Sequence, residues 1–275
     1  MLSDVVEFLI CPYCGADLGF DDRVVSCANG HSYDVARQGY VNLLGGGAHT
    51  GTADTAAMVA ARERFFAVGH FDPLVQAVAG EAQRMIDAHR RGCVIDLGAG
   101  PGHYLVAVLE RLPGWVGLAL DVSKYAARRA ARSHPSVGAV ACDVWQPLPV
   151  RDEAAALVLD VFAPRNAPEI RRVLQPDGAL LTVIPTTEHL RELVAALGLL
   201  TVDEDKPDRV RRQVAGHLTL VRETPVRFTM TLSTTDVAAL VAMGPSAWRV
   251  DPDRASTLPE PVEVTAAVTL SEFRR

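Results

Sequence analysis

The chain has 275 residues, 49% of them hydrophobic, and a formal net charge of −6. That length supports a self-sufficient core, and no apolar run reaches the roughly 18 residues that suggest a membrane span, so no membrane partner is expected. The acidic balance lends no general support to a nucleic-acid partner, which usually leaves a basic footprint, and DNA is not expected to be one.

The first segment, Met1–Ile10, contains Asp4 and Glu7 and no basic residue. It lacks the positive start of a secretory signal, and a cytoplasmic protein is expected. Of five cysteines, Cys11, Cys14 and Cys27 crowd into this first stretch, while Cys93 and Cys142 fall in apolar segments as small core residues. An odd, uneven set argues against a disulfide framework. Cys11-Pro12-Tyr13-Cys14 is one close pair and Cys27-Ala28-Asn29-Gly30-His31 a second. A CxxC pair alone could be a redox pair. Two such knuckles, with Gly15 and Gly30 where their backbones turn, favour a tetrahedral zinc held by Cys11, Cys14, Cys27 and His31. A closed set of three thiolates and one imidazole leaves no open position, so the zinc is expected to be structural.

Residues 1–44 are read as this zinc-binding module and 45–53, rich in glycine, as a linker. Residues 54–90 predict a helical lead-in, broken near Gly69 and Pro73. Strands and helices then alternate: strands at 93–97, 116–120, 137–142, 154–161 and 179–184, with helices at 104–112, 124–133, 169–174 and 188–199 between and after them. Two further strands, at 218–232 and 262–273, flank a helix at 235–243. The pattern predicts an α/β fold with a parallel, doubly wound sheet in residues 54–275.

The segment Val94-Ile95-Asp96-Leu97-Gly98-Ala99-Gly100-Pro101-Gly102 joins the first of these strands to a helix. Glycines allow tight turns and close backbone approach, and ligands bind at the carboxyl ends of strands in such sheets. A dinucleotide fingerprint is the rival reading, but its third glycine would fall at His103. The spacing is GxGxG with Asp96 two residues ahead, which resembles motif I of class I S-adenosylmethionine-dependent methyltransferases. Asp121, after the second strand, can accept from ribose hydroxyls. Asp143 and Val144, after the third, stand where that family places adenine contacts.

The whole chain resembles the RlmA family of bacterial 23S rRNA guanine-N1 methyltransferases. The resemblance rests on the paired metal knuckles, on Asp34-Val35-Ala36-Arg37-Gln38-Gly39-Tyr40-Val41-Asn42-Leu43-Leu44, on Gly69-His70-Phe71 and on Met243-Gly244-Pro245-Ser246-Ala247-Trp248. Val161-Phe162-Ala163-Pro164-Arg165-Asn166 points to the tylosin-resistance (TlrB-type) branch. The resemblance implies a Rossmann-like methyltransferase domain behind a zinc ribbon, S-adenosylmethionine and zinc as cofactors, and a guanine in a domain II hairpin of 23S rRNA as target. It also implies a homodimer, and further cofactor contacts from Phe71, Pro101, Gly102, His103, Val122 and Leu190.

Guanine N1 carries a proton and normally lies in a base pair, so the base must leave its stack or be met in a loop. Asp160, at the end of the fourth strand, is the candidate proton acceptor. The zinc module is acidic, so phosphate contacts are expected from Arg62 and Arg64, from Lys124, Arg128, Arg129 and Arg132, from Arg165, Arg171 and Arg172, or from Arg209, Arg211 and Arg212. Two other functions fit parts of the sequence: a small-molecule methyltransferase with an appended zinc ribbon, and an RNA-binding zinc-ribbon protein that has lost catalysis. The intact glycine loop argues against the second.

Overall fold

Five apolar segments of the middle chain pair side by side because each is coated on both faces. In β5 (Cys93–Leu97), Cys93, Ile95 and Leu97 turn to one face of the sheet and Val94 to the other, and all are buried. The computed structural model describes residues 1–48, 50–51, 53–86, 92–203, 205–250 and 252–275. His49 and Thr52 of the expected linker, and residues 87–90 of the expected helical lead-in, lie outside them.

Three short strands, β1 (Leu18–Asp21), β2 (Val24–Cys27) and β3 (Ser32–Asp34), form a small antiparallel sheet. The fourth, β4 (Tyr40–Asn42), leaves it and becomes the edge of the main sheet. Helices α1 (Ala56–Val68) and α2 (Asp72–Met85) follow, separated at Gly69, whose φ of 88° is the left-handed cap that ends α1. Then come β5, α3 (His103–Glu110), β6 (Val116–Asp121), α4 (Lys124–Ala130), β7 (Val137–Ala141), β8 (Ala155–Val161), α5 (Ala167–Val173) and β9 (Leu174–Pro185). The chain closes with α6 (Arg191–Leu197), α7 (Lys206–Ala215), β10 (Thr219–Leu232), α8 (Thr234–Met243) and β11 (Val262–Arg274). Helix α7 is not expected from the sequence; it is dominated by charge, and among its described side chains Val210 and Val214 are the buried apolar ones.

The main sheet runs β10-β11-β9-β8-β5-β6-β7-β4. The strands from β4 to β9 are parallel, but β11 inserts antiparallel between β9 and β10, so the expected all-parallel sheet is mixed. From β5 the chain steps one way to β6 and β7 and the other way to β8 and β9, which opens a cleft at the carboxyl end of β5.

One face of the sheet is covered by α2 and α3 through Leu74, Val78, Leu105 and Val108. The other is covered by α5 and α7, together with Leu2, Val5 and Leu9 of the N-terminal module. A third apolar cluster of α1, α6 and α8 residues, including Phe65, Leu193 and Leu240, is packed separately from these two faces. The module shares the core of the main body. Ile10 N–H donates to the Pro149 carbonyl at 3.1 Å and Arg151 N–H to that of Phe8 at 2.9 Å. A side chain on Gly138 of β7 would collide with Val5 at 2.1 Å.

Candidate cofactor site and metal centre

The turn after β5 is built from three left-handed glycines: Gly98, Gly100 and Gly102, with φ of 63°, 56° and 91°. Residues with a Cβ rarely adopt that region. The space is also taken, since a Cβ on Gly98 would lie 2.9 Å from that of Ala163, and one on Gly100 would lie 3.0 Å from the Arg62 guanidinium. Pro101 is buried between the last two glycines.

The loop is fastened to the end of β6. Asp121 accepts Gly100 N–H on one carboxylate oxygen at 2.8 Å and Ser123 N–H on the other at 2.7 Å. Burial pushes the Asp121 carboxyl up to about 6, against the pull of those two N–H groups. Val122 follows it, partly exposed. Asp96 is buried at the end of β5, and burial together with the nearby Asp121 and Asp160 carboxylates pushes its proton affinity well up. One of its oxygens has no hydrogen-bond partner among the described residues, and the same is true of His103 Nε2 and the Tyr104 hydroxyl. Burial lowers His103 to about 4, so its ring is neutral, stacked on Phe66 with centroids 4.3 Å apart.

Asp143, past the end of β7, is buried and accepts Trp145 N–H at 3.0 Å, with buried Val144 between them. Asp160, in β8, is fully buried and ion-paired with Arg165 at 3.1 Å. Phe71 is buried and meets Phe66 edge-on, so a run of rings connects it to His103. Leu190 is held at φ 57° and packs in the same apolar cluster as Phe71, a cluster that holds none of the glycine-loop residues.

Several residues have a place that the sequence does not reveal. Arg62, expected from the sequence to contact phosphate, lies instead against Gly100, bound to Asp54 at 2.5 Å and to the Met243 carbonyl at 2.8 Å. Arg165 likewise turns inward, to Asp160. Phe162, just past Asp160, is a non-glycine residue at φ 56° with its ring 41% exposed beside His189. Only proximity in space gives these residues their place, and no local pattern carries that.

In the N-terminal module the ligand atoms of Cys11, Cys14, Cys27 and His31 lie within 4.8 Å of one another. Tetrahedral zinc separates two sulfurs by about 3.8 Å and a sulfur from a nitrogen by about 3.6 Å, given its usual bond lengths. Cys14 and Cys27 Sγ are 3.7 Å apart, and His31 Nδ1 is 3.5 Å from Cys11 Sγ and 3.4 Å from that of Cys27. The residues therefore fit the metal. Two outer groups steady the thiolates: the Tyr33 hydroxyl lies 3.1 Å from Cys11 Sγ, and Asn29 Nδ2 donates to Cys14 Sγ at 3.3 Å. Burial raises the Cys11 thiol, but Tyr33 and the N–H groups of Tyr13 and Cys14 outweigh it and lower it overall.

The N-terminal zinc-ribbon model of the RlmA family matches residues 9–46. The chain is 49% identical to the 23S rRNA (guanine(748)-N(1))-methyltransferase of Streptomyces fradiae, over 100% of this chain and 99% of that protein. It belongs to the 23S rRNA (guanine-N1)-methyltransferase family. A Micromonospora griseorubida relative, provisionally given the guanine-N1 activity, is 50% identical over 100% of this chain and 99% of its own length. A chain of the complex between the Haloferax volcanii Trm112 methyltransferase activator and a methyltransferase shares the fold, with a TM-score of 0.50 and 17% identity over 81% of this chain and 99% of that one. This family member is thus an S-adenosylmethionine-dependent methyltransferase of class I fold, with a structural zinc in its ribbon. The unpartnered Asp96 carboxylate oxygen beside the glycine loop suits a ligand that brings an ammonium, and the unpartnered His103 and Tyr104 polar atoms leave further hydrogen bonds for a polar ligand. No helix among the described residues is long and apolar enough to cross a membrane.

Proposed function

We propose that this enzyme methylates N1 of a guanine in a domain II hairpin of 23S rRNA, the position numbered 748 in the Streptomyces fradiae relative. In this reading it acts in the cytoplasm as a homodimer and contributes to tylosin-type macrolide resistance. Residues 1–44 form the recognition module, 45–53 link it, and 54–275 carry the transfer. What chiefly supports this is the glycine loop locked to Asp121 in a chain whose similarity to rRNA methyltransferases runs end to end.

S-adenosylmethionine, when bound, supplies an electrophilic methyl on a sulfonium. Asp96 takes its ammonium, Asp121 its ribose hydroxyls, and Asp143 with Val144 its adenine. Gly98, Gly100, Pro101, Gly102 and His103 wall the loop, and Phe71, Val122 and Leu190 complete the contact surface. Phe162 offers the displaced guanine a ring to stack on. Asp160 would receive the guanine N1 proton on a carboxylate oxygen, and Arg165 supplies the counter-charge that a buried carboxylate needs. Positioning of the guanine by these residues would supply much of the rate, on the order of 7–11 kcal/mol in favourable geometry.

The test is primer extension on 23S rRNA from cells lacking the gene, incubated with enzyme and cofactor. A methyl on N1 blocks pairing, so reverse transcriptase should stop at the hairpin guanine. Methyl transfer to a small-molecule extract, with no stop on rRNA, would reject the reading in favour of a small-molecule methyltransferase.

A further inference from the structure

The arginines and lysines of this acidic protein are not spent evenly. About half of the candidate phosphate-binding cations meet a carboxylate: Arg62 pairs with Asp54, Arg129 with Glu63, Arg165 with Asp160, Arg172 with Asp152 and Glu169, Arg209 with Asp203, and Arg211 with Asp208 and Glu223. Arg171 is drawn to the His217 carbonyl. Lys124, Arg128 and Arg132 have no acidic partner among the described residues, and all three are exposed on one side of α4 and the turn that ends it. Their spacing of four residues stacks them along a single ridge. Tyr125, 40% exposed, lies beside them with the Lys124 ammonium 5.3 Å from its ring centre.

The position of this ridge matters as much as its charge. The inner face of α4 is apolar, with Ala126, Ala127 and Ala130 buried, so the cations are forced outward. At its start, Ser123 N–H binds Asp121, and at its end Ala130 and Ser133 crowd Gly102, so α4 runs alongside the cofactor loop. Beyond its end lies the zinc module: a Cβ on Gly39 would sit 3.7 Å from that of Ala131. Arg37, exposed in the same turn and also without an acidic partner among the described residues, extends the row onto the module.

We infer that Lys124, Arg128, Arg132 and Arg37 form a phosphate track along which the RNA backbone runs from the zinc ribbon to the methyl-transfer cleft. The inference rests on the rRNA substrate proposed above and deepens it. It also resolves how an acidic protein with an acidic ribbon holds a polyanion: the ribbon adds one cation at the junction, and α4 supplies the rest.

The experiment measures fluorescence anisotropy of a labelled 23S rRNA hairpin carrying guanine 748 against full-length protein over a range of salt. Removing a single cation–phosphate pair reduces the slope of log affinity against log salt by roughly 0.7–0.9. The double variant Arg128→Ala/Arg132→Ala should therefore lower the slope by about 1.5 and weaken binding about thirtyfold near 0.1 M salt, while calorimetric cofactor affinity stays at the wild-type value. Arg37→Ala should lower the slope by one further step of the same size. The control is Arg212→Ala, exposed on α7 near the opposite edge of the sheet, which should change neither quantity. If the double variant keeps the wild-type slope, or Arg212→Ala weakens binding as much as either α4 substitution, the track is wrong. In that case wild-type protein still methylates the hairpin and the functional reading stands. Wild-type protein that neither binds nor methylates the hairpin overturns both.

Discussion

Asp121 at the end of β6 accepts the backbone N–H of Gly100 at 2.8 Å, so the carboxylate assigned to the ribose also fixes the loop assigned to the methionine end. Two N–H groups need two acceptor oxygens, and an amide has only one. Asp121→Asn should weaken S-adenosylmethionine binding by roughly 1.5–3 kcal/mol. Wild-type affinity by titration calorimetry would remove Asp121 from the site.

The same residue sets a pH dependence. Its carboxyl is raised to about 6 in the fold, against about 3.9 in an unfolded chain. The folded state therefore holds the extra proton between those values. This group's contribution to stability is present at low pH and is lost as pH climbs through about 6, on the order of 2–3 kcal/mol. Hydroxyl donors require the ionised form, so cofactor affinity should instead fall as pH drops from about 7 to about 5. Calorimetry across that range should show the fall in wild type and a flatter profile in Asp121→Asn.

The metal centre predicts one zinc per chain. Cys11→Ser should cut occupancy in metal analysis to well below one equivalent. Tyr33→Phe removes only the hydroxyl beside Cys11 Sγ and should keep the metal, with affinity reduced about 10–100-fold in chelator competition. Full occupancy in Cys11→Ser would rule out the site.

Gly138 and Val5 test whether module and body fold together. Gly138→Ala puts a methyl into Val5, and overpacking of this kind typically costs about 1–3 kcal/mol. Thermal unfolding should remain a single transition that moves down, and zinc removal should lower it as well. Two transitions, only one of them shifted, would mean that the halves unfold independently.

Asp160→Asn keeps the shape of the strand end and removes the proton acceptor. We expect methyl transfer to the hairpin to fall about 10²–10⁴-fold with hairpin affinity little changed. A fall that raising the pH does not partly restore points to a positioning role for Asp160, and an unchanged rate excludes it.

The local chemistry was legible in the sequence because its determinants are local. Glycines at 98, 100 and 102 mark a turn that other residues resist, and Asp121 stands at a predictable distance past an apolar strand. Paired Cys and His knuckles announce their metal because each brings two ligands within one tight turn. Strand alternation likewise exposed the α/β core. Other features depended on contacts that no spacing encodes. The antiparallel insertion of β11 is decided by which sheet edge remains open after β9. The departure of β4 from the ribbon is decided by the free edge of β7. Cations of identical type were separated only by their neighbours. Arg62 and Arg165 were drawn inward to Asp54 and Asp160, while Arg128 and Arg132 stayed outward because the alanines of α4 take the buried face. A side chain's charge is written in the sequence, but whether that charge is already neutralised is a property of distance, and distance is set by the fold.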